Sequence, residues 1–396
     1  MKTVALSQKH MTYHRVIERL IRRSITEKET AELLNKSVRQ VRRMKWKVLA
    51  SGIVGLVHGN TGRHAWNKLD ASTVERIVTL YTTKYQGFNC LHFRDMLEEH
   101  EGILVKRELL RLIFLSHNLP RKKRKAPRRF TRRERKPQAG MLIQQDTSTH
   151  DWFGLGVPCA LVASIDDANN DVVYAQFFPS DGTIPNMTAM KTIMETKGIP
   201  VSFYVDRASH FKTTRHESVH VQLTGIYDET QIVRALTEAG STLILALSPQ
   251  AKGRVERLFE TLQDRLVKEL ALAEIKSIDE GNRFLVSWIP AFNRRFMVEP
   301  ASKITSYRKL PNHLALARIF SIQEDRIVKA DNTISFKGKM YLISVSAQRA
   351  SFAKTTVTVH QFVDRTLHIF YQGNELSYTP SWTKSLGNEE DIIAWE

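Results

Sequence analysis

Three acidic residues far apart in the chain, Asp146, Asp206 and Glu256, each stand where side chains can do chemistry. Asp146 ends the run Met-Leu-Ile-Gln-Gln-Asp (141–146), Asp206 ends Val-Ser-Phe-Tyr-Val-Asp (201–206), and Glu256 lies within Pro-Gln-Ala-Lys-Gly-Arg-Val-Glu-Arg-Leu-Phe-Glu (249–260). Two carboxylates at strand ends and one on a helix face are hard oxygen donors of the kind Mg²⁺ accepts. Two such ions, about 3.5–4 Å apart, activate water and stabilise the leaving oxygen in phosphodiester displacement. Convergence of the three would therefore let the chain cut and join nucleic acid. An isolated aspartate at a strand end is more often a turn former. These two differ in following runs too apolar for loops, and parallel strands collect functional side chains at their carboxyl ends. Glu260, one turn beyond Glu256 on the same helix face, is the alternative third carboxylate. Lys252 and Arg254 stand close by to meet phosphates.

Other candidates carry less. His216-Glu-Ser-Val-His220 matches the zinc-protease pattern, whose chemistry needs both histidines on one helical face. The alternation of Val219, Val221 and Leu223 before Gly225 instead reads as an extended segment. His150 and His210, each four residues after an aspartate of the set, are candidates to orient a water, a phosphate or a ligating carboxylate. Asp151 and Asp166 are reserve carboxylates, although Asp166 and Asp167 are better placed to shape a hairpin turn.

The elements that must position these residues follow from periodicity. Tyr13, Val16, Ile17, Leu20 and Ile21 form one helical stripe. Thr26-Glu-Lys-Glu29 and Ser37-Val-Arg-Gln40 are capping boxes that open a second and a third helix, the third running through Val38, Val41, Met44 and Trp46. Two short helices on the tight turn Asn35-Lys36 match a helix-turn-helix, with Arg39, Gln40, Arg42 and Arg43 as candidate groove contacts. Gly52 to Gly62 lacks P-loop spacing and reads as a linker. A second helical group follows, with faces at Val74, Ile77, Leu80 and Tyr81, at Leu91, Phe93, Met96 and Leu97, and at Leu109, Leu110, Leu112, Ile113 and Leu115. Arg107 and Arg111 are its candidate DNA contacts; a structural spacer is the other reading. From 140 the order is strand, strand, strand, helix, strand, helix, strand, helix, predicting a mixed five-stranded sheet flanked by helices. A further helix spans 281–299. Beyond 325, short β-rich runs separated by Lys337-Gly338, Asp364-Arg365 and Gln372-Gly-Asn374 predict a small antiparallel barrel.

Charge is distributed unevenly. The formal net charge is +18; residues 1–120 hold 21 Lys+Arg against 11 Asp+Glu, residues 121–138 hold 11 against 1, and the remaining 258 hold 27 against 29. The excess thus precedes the carboxylate region, which suits a polyanion-binding front end. Within 121–138, Arg121, Lys122, Lys123, Arg124, Lys125, Arg128, Arg129, Arg132 and Arg133 make a linker too charged to pack alone, expected to lie along phosphates. The only two cysteines, Cys90 and Cys159, have no metal-type spacing, as in reduced cytoplasmic proteins. No secretory signal and no membrane-spanning run is evident.

The order of elements, together with Gln-Asp at 145–146, Val-Asp-Arg at 205–207 and Lys-Gly-Arg-Val-Glu-Arg at 252–257, resembles the DDE transposases of bacterial insertion sequences, of the retroviral-integrase superfamily. Asp146-Thr-Ser-Thr-His-Asp151 is similar to the Asp-x-x-x-His-Asp stretch of their ISNCY-type group. The resemblance covers nearly the whole chain. It implies a helix-turn-helix domain at 1–62, a second helical DNA-binding domain at 63–120, a basic linker at 121–139, an RNase H-like core at 140–300, a connector at 301–324, a small β-barrel at 325–380 and a tail at 381–396. It further implies Asp146, Asp206 and Glu256 as ligands of two Mg²⁺ ions, with Mn²⁺ as a substitute. The partners would be double-stranded DNA, as element ends and target, and further copies of the chain in a dimer or larger assembly. The setting would be the bacterial cytoplasm, at the nucleoid. A departure is the 49 residues between Asp206 and Glu256, more than retroviral integrases usually have; the surplus, 209–229, is expected to loop out. Two alternatives stay open: a DNA-binding regulator on an inactive core, and a Mg²⁺-dependent nuclease that cuts without joining.

Overall fold

In the computed structural model the described residues are 6–58, 60–61, 69–120, 134–212, 229–246, 253–311, 315–344 and 351–381. The His216–His220 motif, the basic run 121–133, and 247–252 with Lys252 lie outside them. The chain divides into two units between Thr79 and Leu80.

The first unit carries α1 (Gln8–Ile21), α2 (Glu27–Leu34), α3 (Val38–Ser51) and a 3-10 turn at Gly52–Leu56. Both expected capping boxes form. Thr26 Oγ1 accepts from the Glu29 N–H at 3.3 Å while the Thr26 N–H donates to Glu29 Oε2 at 2.7 Å. Ser37 and Gln40 repeat the exchange at 3.3 and 3.2 Å. Asn35, in the left-handed region at φ 47°, ends α2, a conformation asparagine tolerates. Ile17, Leu20, Ala31, Leu34, Val41 and Val48 make the core. Trp46, expected in the apolar series of α3, is instead 73% exposed. The inward stripe runs Val41, Met44, Val48, and a residue two places after Met44 lies on the opposite side of a helix. The expected linker at Gly52–Gly62 also begins with ordered structure: its 3-10 turn packs so closely that a Cβ on Gly55 would sit 2.2 Å from the Lys47 carbonyl oxygen.

Helix α4 (Ala71–Thr83) runs across the division, and α5 (Cys90–His100) and α6 (Arg107–Ser116) follow in the second unit. Tyr81 packs edge-on against Phe93 and Phe114 at ring separations of 5.1 and 4.7 Å. On α6 the buried face is Leu110, Ile113 and Phe114, whereas Leu112 and Leu115, expected inside, are exposed.

The centre is a mixed five-stranded sheet in the order β3-β2-β1-β4-β5, as the alternation predicts. Its members are β1 (Ile143–His150), β2 (Cys159–Asp166), β3 (Val172–Phe178), β4 (Ser202–Val205) and β5 (Thr242–Leu245). β1, β2 and β3 form an antiparallel meander; β4 is parallel to β1 and β5 to β4. Helices α7 (Thr183–Lys197) and α8 (Gln231–Glu238) share a core with one face, around Ile143, Val162, Phe203 and Val205. Helices α9 (Gly253–Leu272) and α10 (Ile278–Phe296) share a core with the other, around Leu161, Ala163 and Ile165. Among the described residues no helix is long and apolar enough to cross a membrane.

Charges fasten α5 to α9 and α10. The fully buried Asp95 carboxylate meets Arg265 at 2.7 Å, Arg295 at 2.9 Å and Arg94 at 2.7 Å. His92 Nε2 lies 2.8 Å from Glu269 Oε1, whose other oxygen accepts from Trp288 Nε1 at 2.6 Å.

The C-terminal region corrects one expectation. After α11 (Leu316–Ile319) come β6 (Ile322–Ile327), β7 (Thr333–Phe336), β8 (Lys339–Ile343), β9 (Thr356–Gln361), β10 (Leu367–Tyr371), β11 (Asn374–Leu376) and β12 (Tyr378–Ser381). Among the described residues these form two antiparallel sheets, β11-β10-β9-β6 and β12-β8-β7, and no closed barrel. Val328, Ile334, Phe336, Val357, Val359 and Ile369 fill their common core. The chain passes from β11 to β12 through Ser377 alone, but among the described residues no ladder joins the two sheets.

His360 on β9 is 2% exposed, with Nδ1 2.8 Å from Ser321 Oγ. Burial, aided by the nearby Arg318 and Arg234 cations, holds its imidazole down to about 4. An unfolded histidine titrates near 6.5, so between those values the unfolded chain binds a proton that the folded chain refuses. The resulting stability is fully present above about pH 6.5 and is lost as pH falls toward about 4. His360→Asn keeps a hydrogen-bonding group beside Ser321 and cannot protonate. It is expected to lose less melting temperature than the parent between about pH 7 and pH 4.5; equal losses would exclude His360 as the cause.

Candidate active site

The sheet register points the two aspartates toward one level. β1 pairs β4 through Ile143 with Phe203 and Gln144 with Tyr204; the same offset carried two residues on would set Asp146 opposite Asp206, across a strand spacing of about 4.8 Å. Ile143 and Phe203 belong to the core under α7 and α8, so by alternation Gln144, Asp146 and Tyr204 point toward the α9 side, and Asp206 directly follows the last residue of β4. Opposite Asp146 on β2 stands Ala163, fully buried, which adds little bulk beside the carboxylate. Toward β5 this face opens: Thr242 and Ile244 are exposed, and Tyr204 is half-buried. Asp206 is half-buried and accepts the Ala208 N–H at 3.0 Å, which turns the chain after β4.

Helix α9 lies over β1 and runs in its direction. The Val255 N–H donates to Gln144 Oε1 at 3.3 Å, and Gln263 Nε2 donates to Ser148 Oγ at 3.1 Å. Asp146 lies midway between these two fastenings. Val255, Leu258, Phe259 and Leu262 face inward, while Glu256 and Glu260 are exposed on the flank that ends at Gln263. The described helix begins at Gly253, so Glu256 sits in its first turn, immediately after the residue fixed to Gln144. Glu260 lies a turn further toward Ser148.

What fixes the start of α9 is a buried polar junction. Gln144, with no exposed surface, donates from Nε2 to Asp167 Oδ1 at 2.6 Å. Asp167, equally buried, accepts Arg254 Nη1 at 2.7 Å and the Lys136 N–H at 2.9 Å. The Arg254 guanidinium is thus taken up inside the fold, on a carboxylate. Gln145 is its counterpart on the other face: Nε2 donates to Asn186 Oδ1 at 2.7 Å and Oε1 accepts from Ser164 Oγ at 3.0 Å. Of the residues in these junctions only Arg254 was among the expected site residues, as a phosphate contact, and the structure sets its guanidinium on Asp167 instead. The available signal was two successive amides, Gln144-Gln145, directly after the apolar Met141-Leu142-Ile143, since buried amides require partners.

The two histidines part company. His210 turns to the start of α7, with Nε2 3.3 Å from Asn186 Nδ2 and 3.9 Å from Asp181. His150 is exposed at the end of β1, its ring edge-on to Trp152 at 5.3 Å. The reserve carboxylates serve turns. Asp151 accepts from Gly156 and Leu155 N–H groups at 2.8 and 3.0 Å, bonds that lower its pKa. Asp166 accepts from Gly140 N–H at 2.7 Å, Ala168 N–H at 2.9 Å and Tyr307 Oη at 3.2 Å, and burial raises its pKa. Gly140 is required there: at φ 82° a Cβ would lie 2.7 Å from Tyr307.

Among the expected DNA contacts, Arg39, Gln40, Arg42, Arg43, Arg107 and Arg111 are all exposed. Gln40 also caps α3, Arg42 pairs Glu27 at 2.7 Å, and Arg111 pairs Glu108 at 2.6 Å.

The donor chemistry of Asp146, Asp206 and Glu256 fits a hard divalent cation. Yet among the described residues no three His, Cys, Asp or Glu side chains gather closely enough to hold one. Asp146 lies on β1, Asp206 just past the end of β4 and Glu256 on the exposed flank of α9.

No family model matches the chain. It is similar to "Putative transposase y4bF" of Sinorhizobium fredii (strain NBRC 101917 / NGR234), 30% identical over 382 residues that span 96% of this chain and 82% of that protein. It is also similar to the transposase for insertion sequence IS1202 of Streptococcus pneumoniae, 29% identical over 380 residues, 86% of this chain and 79% of the other. Among solved structures, a chain of a simian T-cell lymphotropic virus intasome in complex with PP2A regulatory subunit B56 gamma overlaps 76% of this chain and 97% of its own at 12% identity and TM-score 0.33. The HTLV-2 integrase catalytic core domain in complex with magnesium overlaps 37% and 83% at 14% identity and TM-score 0.27.

Replacing Asp167 by Ala leaves the Arg254 guanidinium buried without this carboxylate, and the expected cost is about 3–5 kcal/mol of stability. Asp167→Asn, which keeps the shape and part of the hydrogen bonding, should cost less. Denaturant midpoints measure both, and an unchanged midpoint for Asp167→Ala would rule the pair out as the anchor of α9.

Proposed function

The chain belongs to the transposases, and from that premise we propose that Asp146, Asp206 and Glu256 form its catalytic carboxylate set. The reaction is phosphodiester cleavage at the ends of the element, followed by transfer of the freed 3′ end to target DNA. What supports this reading is the parallel β1–β4 register, Gln144 opposite Tyr204, which carried two residues on would set Asp146 level with Asp206, beneath the helix that bears Glu256. Glu256 is taken as the third member from its place in the Lys-Gly-Arg-Val-Glu-Arg run; Glu260, which the two fastenings of α9 set nearer the level of Asp146, is the alternative.

The three carboxylates would hold two Mg²⁺ ions, which supply Lewis-acid charge and lower the pKa of a bound water. The protein's own share is position. β1 carries Asp146 and the end of β4 leads into Asp206, while the Gln144–Asp167–Arg254 junction holds the first turn of α9 against β1. The exposed surface at Thr242 and Ile244 leaves the approach to Asp206 open to a large substrate. In-line displacement has one geometry whether the nucleophile is water or a 3′-hydroxyl, so one site serves both steps. Recognition of the element's terminal repeats falls to the helical units, with Arg39, Gln40, Arg42 and Arg43 on α3 and Arg107 and Arg111 on α6. The 121–133 cations and Lys252 contribute phosphate contacts, and a homodimer or larger assembly joins two ends at once.

The test is a strand-transfer assay with Mg²⁺ on the terminal repeats of the encoding DNA. Asp146→Asn, Asp206→Asn and Glu256→Gln each keep shape and remove charge. Each should lower joining by about 100-fold or more while binding of the repeats is retained. Unimpaired joining by one variant removes that residue from the set, and cutting without joining by the parent makes the protein a nuclease.

A further inference from the structure

Trp46 lies at the surface of α3, 73% exposed, with Leu49 one turn on and 54% exposed. The core of this unit closes without either of them. Around Trp46 the helix carries Arg39, Arg42, Arg43, Lys45 and Lys47 and no acidic residue. Arg42 and Arg43 stand four and three residues before Trp46, on its side of the helix. The first turn of α3 holds no acid, although negative charge there would favour the helix and Arg39 opposes the dipole. The helix keeps its start through the Ser37–Gln40 capping box instead. A large apolar ring within a cluster of cations is complementary to a surface that is anionic at its rim and apolar inside. A duplex major groove has that form: phosphates line its walls, and thymine C5-methyl groups project into it.

We infer that Trp46 reads thymine methyl groups in the major groove of double-stranded DNA, while Arg39 and Arg43 set the helix against the adjoining phosphates. The inference rests on the DNA-binding reading above and adds to it an uncharged, specificity-determining contact. Such a contact differs measurably from a phosphate contact, because it displaces no counterion.

The experiment uses the full chain and a duplex carrying the terminal repeat of its element, with affinity measured across a series of salt concentrations. Trp46→Ala should weaken binding about 10-fold with the slope of log K against log salt unchanged, whereas Arg43→Ala should reduce that slope by about 1. Trp46 is exposed, so the variant should melt like the parent, which circular dichroism checks. Replacing thymine by deoxyuridine in the duplex, which removes only the methyl groups, should weaken the parent and leave Trp46→Ala unaffected. Parent-like affinity of Trp46→Ala, or equal loss on the deoxyuridine duplex for both proteins, overturns the inference while leaving DNA binding intact. A change in sedimentation of Trp46→Ala without DNA, at unchanged affinity, would assign the surface to a second copy of the chain. Failure of the parent to bind any duplex would remove the DNA-binding reading itself.

Discussion

A buried carboxylate that cannot stand alone organises the candidate active site. Asp167, at the turn after β2, has no exposed surface, and in the interior an unpaired negative charge is strongly disfavoured. Arg254 answers it from the start of α9, Gln144 from β1, and the Lys136 backbone from the segment that enters the sheet. Four parts of the chain are thereby brought to one point, although 117 residues lie between the first and last of them, Lys136 and Arg254. The same Gln144 amide spends its oxygen on the Val255 N–H. A structural ion pair thus sets where Glu256 emerges, two residues from the guanidinium. Arg254 gives up its charge to the fold so that its neighbour can be aimed.

Most of the architecture was legible because it depends on local physics. The capping boxes at Thr26 and Ser37 are complete in four residues each, and the strands of the sheet announce themselves by apolar runs between turns. What escaped depends on pairing at a distance. Helical spacing groups Trp46 with Val41 and Met44 only loosely, and the side of the helix that the core selects is a property of α1 and α2. Leu112 and Leu115 fail for the same reason: Phe114 fills the place beside Tyr81. The barrel expectation failed because strand runs fix how many ribbons exist and say nothing of which edges pair. Of the proposed site, the three carboxylates are chosen by their place at strand ends and on a helix, and the amides of Gln144 and Gln145 only hinted at the Asp167 and Asn186 junctions that hold the frame.

Charge and chemistry occupy different stretches of the chain. Residues 139–396, which hold the sheet and its carboxylates, carry 27 cations against 29 anions, while the excess lies before them. Long-range attraction to a polyanion therefore belongs to the N-terminal portion and weakens with salt. The carboxylate region would otherwise repel phosphate. Segregation of this kind lets the front of the chain concentrate substrate while local geometry does the rest.

Helix α9 carries Glu256 in its first turn and Arg265 and Glu269 further along, where Asp95 and His92 of α5 grip it. Arg265 follows Glu256 by nine positions, a rise of about 14 Å. The α5 clamp and the Gln144 junction thus grip two ends of one helical segment, and where Glu256 stands depends on both.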